Sequence, residues 1–282
     1  MEAGQVGLVR GDDIRRPRWA LALGGGAARG IAHVGVMRVL EREGLVPDMI
    51  VGTSAGALAG VFLAAGVSMD RTAVWGESLR WSLLARPVVS RLGLTSNERL
   101  GTLLRAALPV RTFDELSIPF ACMATDLTTA EPVLLCDGEL ASAIRASCAI
   151  PGLIVPVERD GLQLVDGGVT ANVPTAVSRL LGAEIVVAVD VNLSYRRTQA
   201  PRNMVEIFFQ SFFTVGRAAE RLASADADVL VTPDIGTIGF EQLDRGPELI
   251  AAGEAAMLDA LPRLRGLLEG ALPPTIPSEA AA

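Results

Sequence analysis

Ile50-Val51-Gly52-Thr53-Ser54-Ala55-Gly56-Ala57 is the stretch that decides the fold of this chain. Its first residues read as the end of a buried strand, Gly52-x-Ser54-x-Gly56 as a sharp turn, and the small residues from Ala55 to about Ala65 as a helix packed close behind. Such a turn strains the serine backbone and holds its Oγ clear of the sheet, with a helix N-terminus at its back. Ser54 therefore reads as a nucleophile. A Ser-His-Asp triad would need an imidazole facing it, and the single histidine, His33, lies inside an apolar helical pattern. His33 is expected to pack beneath the preceding loop, so some group other than imidazole must take the serine proton.

Upstream, residues 19–23 form an apolar run that ends in Gly24-Gly25-Gly26-Ala27-Ala28-Arg29-Gly30. Ile31, Val34, Met37, Val39 and Leu40 then fall near helical spacing until Glu43-Gly44 stops them. Pro47 opens a second strand over 49–51, which runs into the serine turn. Two strand-turn-helix units in succession predict an α/β fold, a three-layer α/β/α sandwich around a mostly parallel central sheet. Downstream, residues 69–108 read as helical with interruptions at Pro87 and Gly93, covering one edge of the sheet. Strands are expected at 120–124, 133–136, 163–165, 185–189 and 229–231, and helices at 138–147, 174–181 and 247–268. Residues 204–223 read as a helix with Phe208, Phe209, Phe212 and Phe213 on a core-facing stripe, with a lipid-contacting surface as the alternative. The expected organisation is an N-terminal extension over 1–17, one domain over 18–269, and a disordered tail over 270–282.

Half of the 282 residues are hydrophobic, enough for a sizeable core. No apolar run reaches the roughly 18 residues that span a bilayer, and residues 1–18 carry acids and arginines where a signal peptide has its apolar segment. The expected address is the cytoplasm. A formal net charge of −7 argues against nucleic acid. Arg15-Arg16-Pro17-Arg18 and Arg196-Arg197 read as solvated loops, with transient contact to lipid headgroups as the alternative. The chain has no lysine, which excludes a Walker A lysine, a pyridoxal Schiff base and Ser-x-x-Lys catalysis. One histidine and the scattered Cys122, Cys136 and Cys148 do not make a zinc site of ordinary spacing; the thiols are expected to be free and buried. No metal and no cofactor are expected, which leaves carboxylates, hydroxyls and backbone amides to do the chemistry.

The glycine loop also occurs in dinucleotide-binding folds, which require an acidic residue at the end of the second strand. Here Gly52-Thr53-Ser54 stands in that place. The loop instead suits an oxyanion hole, its small residues letting a carbonyl approach the backbone N–H groups. Asp126, Asp166 and Asp190 each follow an apparent strand, where a parallel sheet presents its functional groups. Asp166 is favoured as the base because Gly167-Gly168 lets the backbone turn sharply and leaves room for Ser54, with Asp190 second. Partial burial is expected to raise the Asp166 pKa towards a useful value.

The chain resembles the bacterial patatin-like phospholipases. The resemblance spans roughly residues 19–192 and rests on ordered blocks: the loop Gly24 to Gly30 with Ile31-Ala32-His33-Val34-Gly35-Val36, Gly52-Thr53-Ser54-Ala55-Gly56, Ala146-Ser147-Cys148-Ala149-Ile150-Pro151, and Asp166-Gly167-Gly168 with Asn172-Val173-Pro174. It implies Ser54 as nucleophile, Asp166 as its dyad partner, and an oxyanion hole drawn from Gly25, Gly26, Ala27, Ala28 and Ala55. Gly24, Arg29, Gly30, Gly52, Gly56, Gly167 and Gly168 would support that site, Arg29 by holding the loop or a product carboxylate. One departure is that Ala27 stands where the family's G-x-G-x-x-G loop has its middle glycine. The implied activity is hydrolysis of phospholipid or other acyl esters through an acyl-enzyme, peripheral to the inner membrane face. An acyltransferase or thioesterase on the same site, or a catalytically silent lipid-binding protein, is the alternative.

Overall fold

The computed structural model describes residues 16–196, 200–204, 206–208, 210, 211, 214, 216 and 226–270. Its strands are β1 (Trp19–Leu23), β2 (Met49–Thr53), β3 (Arg86–Pro87), β4 (Gly93–Ser96), β5 (Phe120–Asp126), β6 (Pro132–Leu135), β7 (Gly152–Ile154), β8 (Val157–Arg159), β9 (Leu162–Asp166), β10 (Ile185–Val189) and β11 (Val229–Val231). Its helices are α1 (Ala32–Arg42), α2 (Ala55–Ala64), α3 (Met69–Ser78), α4 (Trp81–Leu84), α5 (Glu98–Ala107), α6 (Leu140–Ser147), α7 (Thr175–Leu180) and α8 (Gly246–Leu268).

Strands β11, β10, β1, β2 and β5 lie side by side and parallel, as the alternation of strand and helix predicts. Every residue of β1, β2, β5 and β10 is buried, because a parallel sheet covered on both faces has no wet side to fill with polar residues. Leu21, Leu23, Val187 and Val189 join the large core beneath α1, α2, α6 and α8. Ala20, Ala22, Val186 and Ala188 point the other way into a smaller cluster with Val173. A layer on each face of the sheet is thus present.

Antiparallel pairing enters through β5. Met123 pairs with both Thr53 and Leu134, and Ala124 with both Val133 and Asp166. A strand has two hydrogen-bonding edges, so β2 and β9 must share one edge of β5 while β6 takes the other. Running in opposite directions, β2 and β9 meet end to end, and Thr53 already fills the place next to Asp166. The chain must leave the sheet after Asp166, and it does so in the 3-10 turn Gly167–Val169. Asp166 therefore ends an antiparallel strand, not a parallel one as the sequence suggests.

The stretch 69–108 also departs from the helical reading. Pro87 and Gly93 mark a β3–β4 hairpin, and β4 pairs in parallel with β7 to make a second sheet. The pattern of Pro, Val and Gly there is a strand signal hidden between two helices. Residues 204–216 are helical wherever they are described; Phe208 is exposed there, and Phe209, Phe212 and Phe213 lie outside the described residues, as do 1–15 and 271–282. Among the described residues no helix is long and apolar enough to cross a membrane.

Helices α1 and α8 cross in backbone contact. A Cβ on Gly35 would stand 2.0 Å from Ile250 O, and one on Gly253 would stand 2.0 Å from Ala32 O. Neither carbonyl can yield without separating the helices that roof the glycine loop. Gly253→Ala should cost about 1–3 kcal/mol of stability by overpacking, read as a lower urea midpoint at unchanged slope.

Candidate active site

Ser54 sits between β2 and α2 with φ 53° and ψ −119°, a sparsely populated backbone conformation for a residue with a side chain. The turn closes tightly, since a Cβ on Gly56 would lie 2.2 Å from Leu23 O. The Ser54 N–H donates to Ser147 Oγ at 2.8 Å. Its hydroxyl donates to Asp166 Oδ2 at 2.6 Å, both residues being buried. The other carboxylate oxygen, Oδ1, accepts from the Gly168 N–H at 2.8 Å, and the Asp166 N–H donates to Ala149 O at 2.9 Å. The last residue of α6 and the segment after it thus hold both partners, Ser147 by the serine backbone and Ala149 by the aspartate backbone. No local signal in the sequence marks Ser147 for this role, since its partner Ser54 is distant along the chain.

Burial raises the Asp166 pKa from 3.8 to about 6, against the opposing pull of the hydrogen bonds from Ser54 and Gly168. The rival carboxylates are spent on turns. Asp190 Oδ1 accepts the Asn192 and Leu193 N–H groups, while Asp126 accepts from Thr128 N and Thr129 Oγ1, which holds its pKa down.

The glycine loop is held from below and from the side. His33 Nε2 lies 2.7 Å from Gly24 O, and burial lowers the imidazole pKa to about 4, so the ring is neutral and Nε2–H donates. Asn192 Nδ2 donates to Gly25 O at 2.8 Å, with Asn172 Nδ2 at 3.4 Å. A trans peptide points its C=O and N–H in opposite directions, so fixing Gly25 O also fixes the Gly26 N–H. The loop amides divide into two groups. Gly24, Gly25 and Ala28 donate to Val189 O, Asn172 O and Phe240 O, whereas among the described residues no acceptor takes the N–H of Gly26, Ala27 or Ala55. Ala27 adopts φ 52°, a left-handed conformation that glycine takes more readily than alanine, so the alanine fills the middle-glycine position in a glycine-like conformation.

Arg29 is buried rather than on the surface. Its Nε donates to Ile238 O and its Nη1 to Asn192 Oδ1, both at 3.1 Å, and the guanidinium lies 3.6 Å from the Tyr195 ring centroid. It locks the loop to the segments after β10 and β11. Gly30 opens onto the N-terminus of α2, Gly52 lies within β2, and Gly167 begins the turn that carries Gly168.

Ser54 opens into an apolar cavity lined by Ala27, Ala55, Phe62, Trp75, Leu79 and Leu100, among others. Phe62 and Trp75 pack together in its wall, ring centroids 4.7 Å apart with the planes tilted by 45°. Cys148 also faces it, with burial raising the thiol well above its usual pKa, so it is an inert apolar neighbour. Cys136 is exposed and Cys148 half-buried, which corrects the expectation that all three thiols are buried. Among the described residues no group of three or more His, Cys, Asp or Glu could hold a metal ion.

A fold of this topology with a serine turn, an aspartate and a glycine loop at one cavity matches a known family. The family model for patatin-like phospholipases covers residues 21–178, and the chain belongs to that family. An uncharacterized NTE family protein of Mycobacterium tuberculosis is 40% identical over 187 residues, 65% of this chain and 51% of the relative. Lysophospholipase NTE1 of Mycosarcoma maydis is 37% identical over 182 residues, covering 61% of this chain and 9% of its own length. The chain therefore spans about half of the mycobacterial relative and a small part of the fungal one. A chain in the crystal structure of full-length SpcU in complex with full-length ExoU from the type III secretion system of Pseudomonas aeruginosa superposes with a TM-score of 0.52 at 16% identity, over 90% of this chain and 53% of that one. That likeness is one of fold.

The raised Asp166 pKa has a stability consequence. The carboxylate is penalised in the fold only when charged, so its contribution is most favourable below pH 3.8 and is lost as pH rises through about 6. Asp166→Asn should therefore be more stable than the parent at pH 8 by on the order of 2 kcal/mol, with the gap closing towards pH 4. Denaturant titrations at the two pH values check it; an equal gap at both would refute the buried-charge account.

Proposed function

We propose that residues 18–269 form the catalytic domain of a serine lipid acyl hydrolase that works at a membrane surface on the cytoplasmic side. The observation that carries this reading is the 2.6 Å hydrogen bond from Ser54 Oγ to Asp166 Oδ2 beside an apolar cavity. Asp166 accepts the Ser54 proton as Oγ attacks an ester carbonyl whose acyl chain lies along Phe62 and Trp75. The amides of Gly26, Ala27 and Ala55, with the N-terminus of α2 behind them, receive the charge that develops on the carbonyl oxygen. Asp166 returns its proton to the departing alcohol or lysophospholipid. Water then enters, Asp166 takes its proton as the water oxygen attacks the acyl carbonyl, and Asp166 returns that proton to Ser54 Oγ as the acyl-enzyme is cleaved to a fatty acid and free Ser54. His33, neutral and turned to Gly24 O, serves the loop and transfers no proton.

Family membership supports a lipid ester as substrate, and the apolar cavity supports its acyl end as the part recognised. A fluorophosphonate probe should label Ser54, and fatty acid should be released from phospholipid or lysophospholipid. Ser54→Ala should abolish labelling and lower turnover by roughly a thousandfold or more. As the base must be ionised, kcat/KM should rise with pH and level off above about 6. A folded protein that neither labels nor releases fatty acid would overturn the proposal, and an activity that increases below pH 5 would remove Asp166 as the base.

A further inference from the structure

Residues 78–97 contain Arg80, Arg86 and Arg91 and no carboxylate, in a chain whose formal net charge is −7. This stretch builds α4 and the β3–β4 hairpin, and along it Leu83, Val89, Leu92 and Leu94 are exposed, Val89 completely. Exposed aliphatic side chains clustered within one short segment mark a surface that meets something apolar. The segment is continuous with the cavity. Trp81, Leu84 and Ala85 line it, and Trp81 is also exposed, which puts α4 at the rim. Trp81 Nε1 donates to Glu241 O at 2.8 Å and anchors that rim, while β4 pairs with β7, whose Ile154 is a further part of the cavity wall.

We propose that α4 and the β3–β4 hairpin form the surface by which this chain docks on an anionic phospholipid bilayer, so that the cavity beside Ser54 opens towards the lipid. The inference rests on the acyl-hydrolase reading of that cavity. Charge selects the occupant. Arg80 is held by the Glu77 and Leu79 carbonyls, Arg86 pairs with Glu98 at 2.7 Å, and Arg91 is exposed at the hairpin tip between Val89 and Leu92. Aliphatic tips flanked by guanidinium groups fit the boundary where acyl chains meet phosphates, the carbon side chains entering and the charges staying at headgroup level. The excess negative charge elsewhere on the chain is repelled by the same bilayer, which leaves this face as the one that approaches.

Flotation of the full chain with vesicles tests the docking. The parent should float with vesicles of equal phosphatidylglycerol and phosphatidylcholine, and far less with phosphatidylcholine alone. Arg91→Ala should weaken partitioning about fivefold, and the double variant Val89→Ser with Leu92→Ser at least about tenfold. Circular dichroism melts of the variants should match the parent, since both aliphatic residues are exposed. Ser54→Ala should float like the parent, which separates docking from chemistry. A parent that hydrolyses soluble p-nitrophenyl butyrate yet does not float overturns the docking surface and leaves the hydrolase reading standing. Flotation by a protein that cleaves no ester does the reverse. Unchanged flotation of the Val89→Ser, Leu92→Ser variant overturns the assignment to this hairpin, as does a parent dimer that this variant dissolves, which would make a second copy the occupant.

Discussion

Two strands compete for one edge of a third, and the site exists because neither can pass. On β5, Thr53 of β2 occupies Met123 and Asp166 of β9 occupies Ala124, so the two chains meet head to head and both must turn out of the sheet. One turns through Ser54 with its strained φ, the other through Gly167. The side chains at these bends have nowhere to go but towards each other. Strain of about 1–3 kcal/mol at a residue such as Ser54 persists only when its surroundings over-determine it. The β2–β5 ladder, the Ser147 hydroxyl and the contact of α2 on Leu23 O supply that constraint.

The electrostatics of the site follow from the same burial. A carboxylate in water, with a pKa of about 3.9, is a feeble base for a hydroxyl. Desolvation at the sheet junction raises the proton affinity of Asp166, and the hydrogen bonds from Ser54 and Gly168 oppose that rise. Burial acts in the opposite sense on His33, whose imidazole is driven neutral and used as a donor to Gly24 O. One physical cause thus raises the pKa of the aspartate and lowers that of the histidine. The neutral ring, the two asparagines on Gly25 O and the buried Arg29 hold the glycine loop without spending the amides of Gly26 and Ala27.

The cavity joins this junction to the outer surface of the molecule. Its walls come from α2, α3, α4, α5 and the segment after α6, and the end of α6 together with that segment also holds the Ser54 and Asp166 backbones. The β3–β4 hairpin is tied to that segment through β7. A contact at the hairpin and the geometry at Ser54 are therefore parts of one packed layer.

The sharp turn at Ser54, the glycine loop, the glycine turn after Asp166 and the parallel run of β1, β2 and β10 were legible in the chain, because each depends on local properties: turn residues, apolar runs and the spacing between them. The absence of lysine and the single histidine narrowed the chemistry by counting alone. The hairpin within 69–108 was not legible, since β3 and β4 are too short to show a period and take their meaning from β7, more than fifty residues away. Nor were the roles of Ser147 and Asn192, whose partners Ser54 and Gly25 are distant in sequence. Sequence by itself determined which groups are available for chemistry, because side-chain identity and local backbone preference belong to each residue. Only the tertiary structure decided which carboxylate meets Ser54, because that depends on strands from separate parts of the chain sharing one edge of β5, and no local preference records such a meeting.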